Sequence, residues 1–253
     1  MILNPIVKVL STIRDRKVRC LLMGGQACVL YGGAEFSRDV DLALLASPAN
    51  FGRLKLALYD LRAVPVAVPP AHIKYLHRGH ALRFRCQEGI AKGIRVDVMS
   101  SMRGADGFAS LWRRRTSVRL PHGLTVEVLS LPDLVRAKKT QRDKDWPMIR
   151  RLLESDYLAS RHAPSTSQVR FWLMELRTPA LLRELATRFP DIARRLSTRR
   201  PLLRSVLRDS DERVADLLRM EEDNERKIDE AYWRPLRREL EALRHASIRK
   251  DAR

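Results

Sequence analysis

Two acids one residue apart, Asp39-Val40-Asp41, follow a glycine pair, Gly24-Gly25, at the end of an apolar run. In extended backbone, side chains alternate faces, so Asp39 and Asp41 share one face while Val40 enters the core. Two carboxylates at ~4 Å repel by about 1 kcal/mol in water and about 4 kcal/mol at an effective dielectric near 20, so the pair needs a counter-charge. A divalent cation is the natural one. The stretch Gly93-Ile94-Arg95-Val96-Asp97-Val98-Met99 reads as a strand, and Asp97 stands among β-branched neighbours where an unpaired carboxylate is costly. Asp39, Asp41 and Asp97 are therefore expected to share one metal site. Oxygen-only ligands favour Mg²⁺ or Mn²⁺ over zinc, and two such ions about 3.5 to 4 Å apart can hold the attacking and leaving oxygens of an in-line displacement at phosphorus. That chemistry is nucleotidyl transfer.

With these residues in view, the chain resembles the DNA polymerase β-like nucleotidyltransferase superfamily. Its pattern is a Gly-Gly or Gly-Ser turn, a D-x-D pair and a later acid on a neighbouring strand. Here these are Gly24-Gly25, Asp39-Val40-Asp41 and Asp97. Leu131-Pro132-Asp133-Leu134-Val135-Arg136-Ala137-Lys138, followed by Arg142-Asp143-Lys144-Asp145, is similar to the segment "K then R-x-K-D" of AbiEii-type, toxin-related bacterial nucleotidyltransferases. The resemblance covers residues 15 to 155.

It implies transfer of a nucleoside monophosphate from an NTP such as ATP to an acceptor hydroxyl, with release of pyrophosphate. Asp39, Asp41 and Asp97 would be catalytic and bind Mg²⁺ or Mn²⁺. Gly24, Gly25 and Ser37 would cradle the triphosphate, with Lys138 and Asp145 as further substrate contacts. Those families commonly carry an arginine where this chain has Glu35, which leaves Arg38 to supply that contact. Asp145 has a second reading, since it precedes Trp146-Pro147 and can cap a helix. The acceptor implied is RNA, with a tRNA end as one form and an operon-encoded protein as a possible partner of the enzyme. Transfer to a protein or to a small molecule such as an aminoglycoside is the alternative. So is a non-catalytic, nucleic-acid-binding or antitoxin-like protein of the same fold.

Composition bounds these readings. The formal net charge is +19 and the pI about 10.8, a field that attracts phosphate backbones with salt-sensitive affinity. Residues 1–160 hold 27 Lys and Arg against 14 acids, so the charge belongs largely to the half bearing the acidic motif. Arg113-Arg114-Arg115, after the apolar Phe108 to Trp112, is a candidate contact for that polyanion. Aromatic residues make up only 6%, which argues against base stacking as the main contact. No apolar run reaches the ~18 residues of a membrane span, and no signal peptide is evident at Met1-Ile2-Leu3-Asn4-Pro5, so a cytoplasmic protein without membrane contact is expected. Cys20, Cys28 and Cys86 sit among apolar residues and read as packed thiols. His72, His77, His80, His122, His162 and His245 show no ligand spacing and read as surface or ordinary polar residues.

The elements that must position the acids follow from periodicity. Helices are expected over residues 4–17, 25–31, 48–61 and 108–115, and strands over 18–23, 40–45, 81–87 and 94–99. Ser130-Leu131-Pro132-Asp133 resembles a capping box that opens a helix through Lys139, and Pro147 begins the next. The expectation is an α/β (α+β) chain, with the small mixed sheet and flanking helices of the nucleotidyltransferase fold over residues 1–160 and an all-helical region over 161–253. The polar stretch Ser160 to Ser167 lies at that boundary. The charged segment Asp209 to Ala246 reads as a helical arm or lid interrupted at Pro235.

Overall fold

Short apolar stretches punctuated by glycine build seven strands among the described residues: β1 (Cys20–Met23), β2 (Asp39–Leu44), β3 (Ala63–Pro65), β4 (Leu82–Cys86), β5 (Arg95–Met99), β6 (Thr116–Arg119) and β7 (Thr125–Val128). They form one sheet in the order β3-β4-β5-β2-β1-β7-β6. The sheet is mixed: β2 runs parallel to β5 and β1 parallel to β7, while β1 and β2 are antiparallel. This computed structural model describes residues 3–66, 68–120 and 123–251, so His122 lies outside the described residues.

The chain divides into two compact units. The sheet unit comprises Met1–Leu30, Glu35–Ala137 and Ala231–Arg253, and the helical unit comprises Tyr31–Ala34 and Lys138–Glu230. A mixed α/β architecture with a helical C-terminal part is thus present. The Pro/Ser-rich stretch after Ser160 is a connection inside the helical unit, where Ser165 and Gln168 form a capping box.

In the sheet unit, α1 (Asn4–Asp15) begins with Pro5 in its first turn and buries Ile6, Val9, Leu10 and Ile13, the spacing of one helical face. The short α2 (Gly24–Leu30) follows β1 directly. Ser47 caps α3 (Pro48–Asp60) by accepting from the Asn50 amide at 3.3 Å. Asn50 is buried yet fully engaged: its side chain donates to the carbonyls of Arg19 and Leu45 at 2.9 Å and accepts from the Arg19 amide at 2.7 Å. One amide group therefore fastens the start of β1 to the end of β2, which fixes the register of the acid-bearing strand. Further along lie α4 (Ile73–His77), α5 (Phe108–Arg114) and α6 (Leu131–Lys138), the last opened by Ser130, whose hydroxyl meets the Asp133 carboxylate at 2.7 Å.

The helical unit holds α7 (Asp145–Ser160), α8 (Thr166–Glu175), α9 (Pro179–Arg188) and α10 (Pro190–Leu196). Trp172 is fully buried, edge-on to Tyr157 at 5.1 Å, and its indole donates to Asp156 at 2.7 Å. The final helix, α11 (Asp211–Asp251), runs through Pro235 without a break, contrary to the expected interruption. A proline cannot bond the carbonyl four residues earlier and crowds it with its ring; here that carbonyl is the one of Ala231, the residue at which the helix passes into the sheet unit.

Two sequence expectations are corrected here. His80 is buried, with its Nε2 2.8 Å from Glu239 of α11. Arg114 and Arg115 do not project freely: Arg114 pairs with Asp133 at 2.9 Å and Asp106 at 2.7 Å, and Arg115 with Glu127 at 2.7 Å. No helix among the described residues is long and apolar enough to cross a membrane.

Candidate active site

The parallel pairing of β2 and β5 places Asp41 directly opposite Asp97, and Asp39 opposite Arg95. Residues two apart on a strand share a face, so all four side chains project from one side of the sheet. Their intervening neighbours, Val40, Leu42, Val96 and Val98, are buried on the other. The sheet thereby collects three carboxylates on one surface and anchors them through an apolar underside.

The glycine pair meets the same spot. Gly24 has φ +64°, and a Cβ there would lie 1.9 Å from Oδ2 of Asp41. Gly25 donates its amide to Asp41 Oδ2 at a long 3.4 Å. A Cβ on Gly25 would come within 2.3 Å of the Ser37 hydroxyl. Both glycines are thus required by close approach, Gly24 also by a left-handed backbone. Ser37 is held in turn by the Gln26 side chain, which donates to its carbonyl at 2.8 Å. Gly24, Gly25, Ser37 and Asp41 form one contiguous cradle. Arg38 is exposed, its guanidinium 5.6 Å from the Phe36 ring centre.

Sequence reasoning overlooked Arg95. Its Nη2 lies 2.6 Å from Asp39 Oδ2 and its Nε 3.1 Å from Asp97 Oδ1, while Arg83 stands 3.9 Å from Asp97 Oδ2. The signal was present, since a residue two positions before Asp97 on a strand must share its face. Arg95 donates a hydrogen bond to Asp39 through Nη2, but toward Asp97 it provides charge alone: its Nε and Asp97 Oδ1 are both buried and both lack a hydrogen bond. Burial foremost, together with the charges of Asp41 and Asp39, pushes the Asp97 carboxyl up to about 6, against the pull of Arg95 and Arg83.

No group of three or more His, Cys, Asp or Glu among the described residues stands arranged to hold a metal ion. At the acidic cluster a guanidinium bridges two carboxylates instead. The donor set still fits a hard cation, being all oxygen and including one buried carboxylate oxygen, Asp97 Oδ1, that accepts no hydrogen bond. Asp39, Asp41 and Asp97 are the residues that would hold it.

Lys138 and Asp145 belong to the helical unit, where they hold each other. The Lys138 ammonium is 2.9 Å from Asp145, and both side chains are almost fully buried. Asp145 also accepts from Thr140 at 2.6 Å and from Arg142 at 2.8 Å. Burial alone would raise its carboxyl; these cations and the hydroxyl hold it below the usual range. Asp145 is the first residue of α7, with Pro147 in the first turn, but it does not cap the helix as the sequence suggested: Lys144 holds the cap position, no side chain caps the helix, and the Asp145 carboxylate is taken up by Lys138, Thr140 and Arg142. Neither models of known families nor curated proteins give a match to this chain.

Proposed function

We propose that this chain is a metal-dependent nucleotidyltransferase that moves a nucleoside monophosphate from an NTP to an acceptor hydroxyl, with RNA as the acceptor. The observation that carries the reading is the register of Asp41 against Asp97, with Asp39 on the same face and the Gly24-Gly25 turn pressed against Asp41. Bound Mg²⁺ or Mn²⁺ would supply Lewis-acid stabilisation of charge on the phosphoryl oxygens. In this reading Asp39 and Asp41 would hold the metal, and Gly24, Gly25 and Ser37 shape the cradle of the triphosphate. Asp97 accepts the proton of the acceptor hydroxyl. The acceptor oxygen then bonds to the α-phosphorus as the bond to pyrophosphate breaks. The net charge of +19 supports a polyanionic acceptor.

A second reading, a nucleic-acid-binding protein of this fold that does not turn over, is favoured by one observation. Arg95 already neutralises two of the three carboxylates. Incubation with labelled NTPs, Mg²⁺ or Mn²⁺ and total RNA separates the two. Label in RNA supports the transferase, label in protein moves the acceptor, and no label under any condition overturns the proposal.

A further inference from the structure

We propose that a groove between α8 and α10 of the helical unit docks the phosphate backbone of single-stranded RNA. The groove measures about 320 Å³ and is lined by Arg170 of α8 together with Ile192, Arg195, Leu196, Thr198 and Arg199 of α10 and the turn after it. That volume falls within the roughly 300 to 1,000 Å³ of small-ligand sites. Ile192, Arg195 and Leu196 are spaced to share one face of α10, and the turn after the helix adds Arg199, so that two arginines line the groove beside two apolar side chains.

These arginines differ from their neighbours in having nothing to hold. Arg177 and Arg200 share Glu221 at 2.9 Å each, and Arg200 also donates to the carbonyls of Leu173 and Leu176. Arg183 pairs with Asp211 and Arg194 with Asp191, both at 2.8 Å. Among the described residues, Arg170, Arg195 and Arg199 make no side-chain ion pair or hydrogen bond, and no carboxylate lines the groove. The negative end of the α10 dipole accounts for cations at Arg195 and Arg199. It does not account for Arg170, which arrives from another helix. Three arginines line one concavity with no acid among its lining residues, and an anion bound there would offset their like charge.

Phosphate suits guanidinium through paired N–H donors, and a strand of phosphates suits a row of them. A membrane surface suits the groove less, because its apolar residues are only partly exposed and none is an aromatic anchor. The Arg113 to Arg115 cluster is a poorer candidate, since two of its members are consumed by Asp106, Asp133 and Glu127. The choice of RNA over another polyanion rests on the function proposed above.

The test uses the full chain without NTP or divalent ion. Anisotropy of a fluorescein-labelled single-stranded RNA is followed from about 50 to 200 mM salt, where each neutralised phosphate contributes about 0.7 to the logarithmic slope. The Arg170→Glu, Arg195→Glu, Arg199→Glu triple variant is expected to lower the slope by roughly 2 and to weaken binding at least about tenfold. The milder triple Arg→Gln variant is expected to act in the same direction, which guards against misfolding of the reversal. A control triple at the exposed Arg53, Lys55 and Lys92, each to Glu, carries the same charge change and is expected to weaken binding far less. Wild-type affinity in both groove variants, equal loss in the control, or capture of anionic phospholipid vesicles with no RNA binding would each overturn the groove. Label transfer is scored separately: docking without transfer by the wild type removes the enzyme and keeps the groove, and transfer with unaltered docking by the variants does the reverse.

Discussion

Arg95 and Asp39 are register partners on adjacent parallel strands, and the guanidinium of the first lies 2.6 Å from the carboxylate of the second. The same guanidinium reaches Asp97, so one side chain answers the charge of two acids. Arg95→Ala is expected to cost the metal-free protein no more than about 1 kcal/mol, because more than a third of the Arg95 side chain is exposed. It is also expected to raise Mn²⁺ affinity by at least about tenfold, since one cation removed from about 6 Å of a divalent ion is worth roughly 1.4 kcal/mol even at the dielectric of water. Thermal melts in EDTA and a Mn²⁺ titration by calorimetry check both. Unchanged Mn²⁺ affinity would mean that the guanidinium and a metal do not compete.

Asp39→Asn and Asp41→Asn are expected to reduce transfer to background while the fold persists, since each removes a charged oxygen of the proposed metal site and part of the carboxylate repulsion. Circular dichroism and the labelled-NTP assay measure the two separately. Near-wild-type transfer by either variant in Mg²⁺ rules out the assigned roles.

Asp97 gives a pH signature. Its carboxyl sits at about 6 in the fold against an ordinary 3.8, so the ionised form costs stability above pH 6. That cost fades as the pH falls from about 6 towards 3.8, where the group protonates in both states. Asp97→Asn cannot ionise and is expected to be more stable than wild type by up to roughly 3 kcal/mol near pH 7.5, with the gap closing towards pH 4. Chemical denaturation of the metal-free proteins at the two pH values reads the difference, and a gap that does not change with pH contradicts the raised carboxyl.

Gly24→Ala places a Cβ where 1.9 Å separates it from Asp41 Oδ2, on a backbone with φ +64°. The variant is expected to lose roughly 1 to 3 kcal/mol and to displace Asp41, so that transfer falls further than stability explains. Full activity with a lowered melting temperature would show that the turn is structural alone.

Asp145→Ala leaves the Lys138 ammonium buried beside no carboxylate, at an expected cost of about 3 to 5 kcal/mol. Lys138→Met removes the other partner. A large stability loss in both variants identifies a structural pair, whereas a stable Lys138→Met protein with weakened NTP binding identifies a substrate contact.

Part of the site was legible because a strand has only two faces: Asp39 and Asp41 could be placed on one of them from spacing alone, Asp97 drew attention as an acid among β-branched neighbours, and the glycine pair marked a tight turn, whereas the shared face of Asp97 with the pair needed the register of β5 on β2. The expected helix over residues 48–61 and strand over 94–99 match α3 and β5 to within a residue. The short strands β3, β6 and β7 were not legible. Each spans three or four residues, too few to show alternation, and they are defined by pairing with distant strands. Arg95 was missed for a different reason: a charged residue before an acid reads as solvated until a neighbouring strand supplies its partner. The continuity of α11 through Pro235 was hidden as well, because a proline signals a break while the packing that tolerates it is long-range.

The sheet unit takes its last segment from Ala231 onward, where Glu239 reaches Arg78 and His80 at 2.8 Å each. Synthesis delivers the acidic strands before this segment, with Lys138–Glu230 of the helical unit in between. A ribosome that stalls within the helical unit therefore releases chains that carry every carboxylate of the site but lack the brace over residues 78–80. Emergence of the segment from Ala231 onward, and not appearance of the motif, marks the moment at which the sheet unit can close.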